Sequence, residues 1–315
     1  MGIVLEIVLP VFALIFIGWL IVKLRWLDEA GLKGLTNYTF YVAFSALLFR
    51  AMRNVHLDQL DAGILLAYFS AVAIVWLLAM AIGRFVFGLS FAEQTMMALG
   101  GTFTNGVGLG IPLVLATWGE AGLVPLLMII AIHSAILLSA AAVLVELSRG
   151  GEAVQGTAQR LANSLLAALR HPVLVAIAVG LAWGMFSRAT GVHLPNAAEV
   201  ALKWLGESAI PCALIGLGGS LAMIRLAGDL PQTLVMTVCK LVALPLAVWL
   251  MAHYVLRLDT LWTAVATVNA AMPTGANVYL LAQRYDTYVA RTTSTVLLST
   301  ACSIVTLSVV LALFT

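Results

Sequence analysis

Uninterrupted apolar runs, each about as long as a bilayer is thick, follow one another along almost the whole chain. Crossing roughly 30 Å of hydrocarbon takes about 20 helical residues. Runs of that order fall at 3–22, 34–52, 62–83, 94–116, 122–146, 171–187, 197–223, 231–255, 260–282 and 289–314. They predict an all-α polytopic membrane protein of ten transmembrane helices, because a helix satisfies its backbone groups within its own segment, as lipid demands. The composition agrees: of 315 residues, 63% are hydrophobic and 10% charged, against about 25% charged in soluble domains.

The longest polar connection runs from Ser148 to Arg170. It divides the chain into a first five-helix repeat (1–147), a linker (148–170) and a second five-helix repeat (171–315). Loops after odd-numbered spans hold ten basic residues, Lys23, Arg25, Lys33, Arg84, Arg149, Arg160, Arg170, Arg225, Arg284 and Arg291; those after even-numbered spans hold four, Arg50, Arg53, Arg188 and Arg257. By the positive-inside rule the linker is cytoplasmic and both termini are non-cytoplasmic. Met1–Pro10 lacks the basic start of a secretory signal, so the first apolar run is expected to stay as a membrane span. For a bacterial chain this means the inner membrane.

Two spans are interrupted in matching places. Thr102, Asn105, Gly106, Gly108, Gly110 and Pro112 break the fourth; Asn269, Pro273, Gly275 and Asn277 break the ninth. Broken apolar helices leave backbone groups unpaired at bilayer depth, tolerable only where protein or a watery cavity receives them. Paired breaks in two halves point to the binding site of a secondary transporter. Other correspondences keep nearly the same shift: Pro10 and Gly18 with Pro172 and Gly180, Ser45–Leu48 with Pro211–Leu214, Asn105 with Asn269, Pro112 with Pro273. Five spans per copy is an odd number, so the second copy enters the membrane from the opposite side and the repeats are inverted. Prolines at similar depths that only relieve packing are the plainer account, but they leave the clustering of asparagine beside proline unexplained.

At such a crossing, proline removes a donor and glycine permits non-helical backbone. Freed amides at half-helix N-termini carry partial positive charge and receive carboxylates. Asn105, Asn269 and Asn277 add neutral donors and acceptors. Few ionisable groups lie within spans. Glu6 and Glu146 sit near span ends, where a side chain reaches the interface. Glu207, one turn before Pro211, either lines a solvated cavity or carries a coupling proton. Lys240 either holds an anionic substrate or ties its helix to backbone carbonyls. His133 either carries a proton or is a neutral histidine bonded between helices.

Several functions are excluded. The net charge of +2 comes from scattered basic residues, so no stripe for nucleic acid exists. Cys212, Cys239 and Cys302 show no metal-ligand spacing and read as small hydrophobes. There is no nucleotide loop or nucleophile with an evident base, so neither an enzyme nor a cofactor is expected. Gly216–Gly219 lies within an apolar span without a following lysine and reads as close helix packing.

Four stretches resemble the auxin efflux carrier family: Thr104–Leu113, Ala209–Gly218, Ala270–Asn277 and Leu297–Ser303. The resemblance covers essentially the whole chain. It implies an inverted 5+5 fold similar to bile-acid symporters and sodium/proton antiporters. Spans 1, 2, 6 and 7 would form a scaffold; spans 3–5 and 8–10 would form a moving transport domain. Family members carry carboxylate-bearing organic anions such as auxin, malonate or malate, and plant members pair as homodimers through the scaffold. By position Asn105 and Pro112 fall on the first crossover, Pro273 and Asn277 on the second. The chain departs from the pattern at Ser45, where a proline is usual, and at Thr104, where many relatives also have proline. The expected site is therefore Asn105, Asn277 and Asn269 with Pro112, Pro273 and Ser45, and with Lys240, His133 and Glu207 as candidates for coupling or anion binding. Sodium would want an oxygen cluster that the sequence does not offer, which leaves proton coupling or uniport. A sensor or a channel on the same fold are the other readings.

Overall fold

A computed structural model describes residues 2–55, 60–148, 170–224 and 228–315. The interior of the predicted linker, with Arg149 and Arg160, lies outside the described residues, as does Arg225. Among the described residues every element is helical, apart from one isolated antiparallel bridge between Thr104 and Thr274. The helices in chain order are α1 (Gly2–Lys23), α2 (Glu29–Tyr38), α3 (Phe44–Met52), α4 (Gly63–Phe85), α5 (Phe91–Thr102), α6 (Ile111–Ser148), α7 (Pro172–Thr190), α8 (Asn196–Glu207), α9 (Ala209–Met223), α10 (Leu230–Val238), α11 (Leu244–Leu250), α12 (Thr260–Ala271), α13 (Asn277–Arg284) and α14 (Val289–Ala312).

Among the described residues, seven helical stretches are long and apolar enough to cross a membrane: Glu6–Lys23, Gly63–Phe85, Gly106–Ser148, Pro172–Thr190, Asn196–Met223, Leu230–Val255 and Val289–Ala312. Ten apolar runs were expected, and the difference has a physical cause. The ninth run is broken into α12 and α13, of 12 and 8 residues. The second has α2 at only 10 residues, followed by a wide π-turn at Thr39–Ala43 before α3. The fourth and fifth runs are joined in α6, whose 38 residues are interrupted at Gly119 with φ 64° and ψ −153°. That conformation is open essentially to glycine alone.

Local chemistry sets the element ends. Ser90 and Glu93 form a reciprocal capping box at the start of α5. Asp259 accepts the Leu261 amide at the start of α12, 2.8 Å away. Two π-turns precede prolines. Gly106–Gly110 comes before Pro112, and Cys239–Ala243 comes before Pro245. A proline ring clashes with the carbonyl four residues back and cannot donate to it, and the wider turn absorbs that conflict.

Packing separates into two regions. In one, α1 lies on α9 and α3 on α7 with backbones nearly touching. A Cβ placed on Gly18 would fall 2.1 Å from the Ile215 carbonyl oxygen, and one on Gly180 would fall 2.9 Å from that of Phe49. Small residues that let backbones meet are the usual way helices associate where lipid removes the hydrophobic drive. The second region gathers α4, α5, α10 to α13 and the latter part of α6 around Tyr68, Met96, Met97, Leu99 and Met236. Large apolar side chains such as Phe16, Leu66, Leu77 and Val305 face outward. That surface suits hydrocarbon rather than water.

Candidate site at the crossing of two broken helices

α5 ends at Thr102 and α12 at Ala271, and the chain beyond each runs extended, with ψ 122° at Phe103 and ψ 151° at Met272. These segments cross and pair. The Asn105 amide donates to the Pro273 carbonyl at 2.9 Å, and the Gly275 amide donates to the Phe103 carbonyl at 3.2 Å. Each break thus supplies backbone partners for the other, which answers the demand for satisfied groups at bilayer depth.

Side chains complete the accounting. The Thr104 amide donates to His133 Nε2 at 3.0 Å, and the Thr274 amide to Ser299 Oγ at 3.0 Å. The Thr274 hydroxyl donates to the Gly100 carbonyl at 2.8 Å; the Thr104 hydroxyl pairs with Tyr68 at 2.9 Å. Lys240, fully buried on the Cys239–Ala243 π-turn, donates from Nζ to the Ala270 carbonyl. Because His133 Nε2 accepts, the neutral ring carries its proton on Nδ1. That nitrogen has no hydrogen-bond partner among the described residues, nor does Asn269 Oδ1.

A cavity of about 680 Å³ opens against this crossing. Asn105, Asn269, Asn277 and His133 line it, together with Thr104 and the Gly106–Gly108 backbone. The Asn105 side chain accepts from the Gly108 amide at 3.2 Å and so caps the turn that leads into α6. Thr36 on α2, Thr39 and Phe40 just after it, His171 before α7, and Cys212 and Ser220 on α9 also line the cavity. No carboxylate is among the described lining residues. No group of three or more potential metal-ligating side chains occurs among the described residues either.

Of the expected site residues, the cavity thus gathers the three asparagines and His133. Pro112 and Pro273 are buried framing residues that do not line it. Ser45, on α3, donates to the Phe40 carbonyl at 3.3 Å and stands outside the lining. Glu207 is exposed at the end of α8, 3.8 Å from Lys203, and also stands outside. Lys240 is spent on a backbone carbonyl, the second of its two expected roles. The register of the two breaks needs correction. Asn105 follows its extended segment, whereas Asn269 precedes its own, inside α12. The residues that pair are Thr104 and Thr274, so the pairing of Asn105 with Asn269 in sequence is not a spatial equivalence. Tyr68, Thr274, Ser299 and Arg284 were not singled out. Hydroxyls in apolar helices are too common to signal a role without their partners.

A family model described as "Membrane transport protein" matches residues 3–311. The chain belongs to this family. It is also 27% identical over 307 residues, 96% of this chain and 92% of the other, to a protein of Rhizobium meliloti (strain 1021) described as "Putative malonate transporter". These matches bear out the resemblance to auxin efflux carriers and assign the chain a role in membrane transport rather than catalysis.

Proposed function

We propose that this protein is a secondary transporter that carries a small organic anion, a carboxylate such as malonate, by alternating access around the crossed breaks. One observation carries the reading: a cavity without lining carboxylates, among the described residues, meets a hydrogen-bonded crossing rich in amides and asparagines. Asn105 and Asn277 donate to the carboxylate. The first two amides after Asn105, those of Gly106 and Val107, precede the one that Asn105 Oδ1 accepts and add to the donor set. Asn269 supports the crossing from the end of α12, while Pro112 and Pro273 keep the two segments from closing into helix.

The finer architecture belongs to the same proposal. Counting α2–α3, the α5-to-Gly119 stretch, the remainder of α6, α8–α9, α10–α11 and α12–α13 as one span each, together with α1, α4, α7 and α14, makes ten. The α1–α9 and α3–α7 crossings support inverted repeats. Gly18 meets Ile215 as Gly180 meets Phe49, and each residue of one pair corresponds to one of the other at the shifts in the sequence. In this reading spans 1, 2, 6 and 7 are the scaffold through which two copies pair. The linker is cytoplasmic, both termini are non-cytoplasmic, and the membrane is a bacterial inner membrane.

Purified protein in liposomes should exchange labelled malonate saturably, and Asn105→Ala or Asn277→Ala should lower that exchange at least about tenfold, since each removes a donor to a charged group. Unchanged exchange in both variants would sink the site assignment. Tight binding with no flux would indicate a sensor, and unitary currents a channel. Imposing pH, sodium and voltage gradients separately distinguishes proton coupling from sodium coupling and from uniport.

A further inference from the structure

The three asparagines do not use the only formally charged side chain that lines the cavity, among the described residues at neutral pH with histidine counted neutral. That side chain is Arg284. It ends α13, the helix that Asn277 begins. Asn277, Leu281 and Arg284 all line the cavity, and their spacing of four and three residues puts them on one stripe of the helix. The rise from first to last is about 10 Å. Arg284 and His171 are exposed, as is Asn277 at the crossing end of the stripe; Arg284 and His171 both adjoin loops that follow odd-numbered spans, so this end of the cavity faces that side of the membrane.

Two other arginines near helix ends are paired with carboxylates, Arg53 with Glu199 and Arg291 with Asp229. Arg284 has no carboxylate partner among the described residues; its guanidinium stands 6.0 Å from the Tyr285 ring centre. An unpaired guanidinium at the mouth of a cavity without lining acids draws anions inward, because low-dielectric walls focus its field. Its planar fork also matches a carboxylate.

We propose that Arg284 is an outer carboxylate-binding station. It captures the organic anion at the mouth of the cavity, and the anion then passes along the α13 stripe to Asn277 and Asn105. This inference rests on the anion-carrier reading. The station serves the face of the membrane toward which Arg284 opens, cytoplasmic by the charge bias of the loops.

Malonate exchange in liposomes, measured from each face and over a range of ionic strength, tests it. Arg284→Gln should raise the KM about five- to tenfold on one face only and flatten the salt dependence of Vmax/KM there, as loss of electrostatic steering requires. Arg284→Lys should retain most of the salt dependence. Arg84→Gln removes an exposed cation outside the cavity lining, in the last turn of α4 on the same predicted face, and should leave the salt dependence unaltered. A KM within twofold of the parent with the same salt slope would overturn the station, as would an equal effect of Arg84→Gln or an equal effect on both faces. Absence of carboxylate exchange in the parent protein is a different failure, that of the carrier reading itself.

Discussion

Thr104 departs from the proline expected from the family resemblance, and its surroundings account for what a threonine does there. Its amide reaches His133 and its hydroxyl reaches Tyr68, two bonds at the crossing, neither of which a proline could make. Tyr68 is fully buried. Thr104→Val should therefore cost about 1–3 kcal/mol by leaving the phenol unpaired. Tyr68→Phe should cost less, because the Thr104 hydroxyl retains the Thr102 carbonyl at 3.5 Å. The double variant should fall short of the sum of the two. Thermal unfolding in detergent reads all three; additive losses would mean that the hydroxyl pair contributes nothing. The residue scale is also where sequence reasoning stopped. Glycine, proline and asparagine announce a break by their own backbone chemistry, so Asn105, Pro112, Pro273 and Asn277 were legible. Lys240 was legible as an anomaly, but its acceptor, the Ala270 carbonyl, is made available by a helix that ends elsewhere in the chain.

Among elements, the two half-helices that stop at the crossing solve the same problem differently. Gly100 and Ala270 are both separated by four residues from the paired threonines, Thr104 and Thr274. The Gly100 carbonyl receives the hydroxyl of Thr274, while the Ala270 carbonyl receives Lys240 Nζ. One half of the crossing is thus closed by a short side chain of the partner segment, the other by a long one from the Cys239–Ala243 π-turn. Element boundaries were the less legible part for a related reason. Apolar periodicity marks where a chain lies in lipid, but Gly119 looks like any other glycine until its φ of 64° and ψ of −153° are seen. Gly119→Ala should destabilise the protein by about 1–3 kcal/mol, since alanine pays for that backbone conformation. Gly34→Ala, in the exposed part of α2 with no atom within 4 Å of where the methyl group would sit, should stabilise it by roughly 0.5–1 kcal/mol. If both moved the unfolding midpoint alike, the break at Gly119 would not be a built feature of α6.

For the whole molecule, the cysteines report on access. Cys212 lines the cavity, Cys239 is buried, and Cys302 faces outward among apolar side chains of α14. A membrane-impermeant reagent enters neither a packed core nor hydrocarbon. A membrane-impermeant maleimide should therefore label chiefly Cys212, from one face, and Cys212→Ser should abolish the labelling. Malonate should change the rate at least about threefold by filling the cavity or shifting the population of the open state. Equal labelling from both faces would argue against a carrier with one open side.

The bridge between Thr104 and Thr274 joins residues 170 positions apart. During synthesis at about 5–20 residues per second, the first break waits on the order of 10–35 s for its backbone partner to be made. Through that interval the Phe103 carbonyl and the Asn105 amide lie in a half-built protein without the groups that later receive them. Biogenesis, and not only transport, therefore depends on what shelters those groups in the nascent chain. The insertion machinery is the place to look for it.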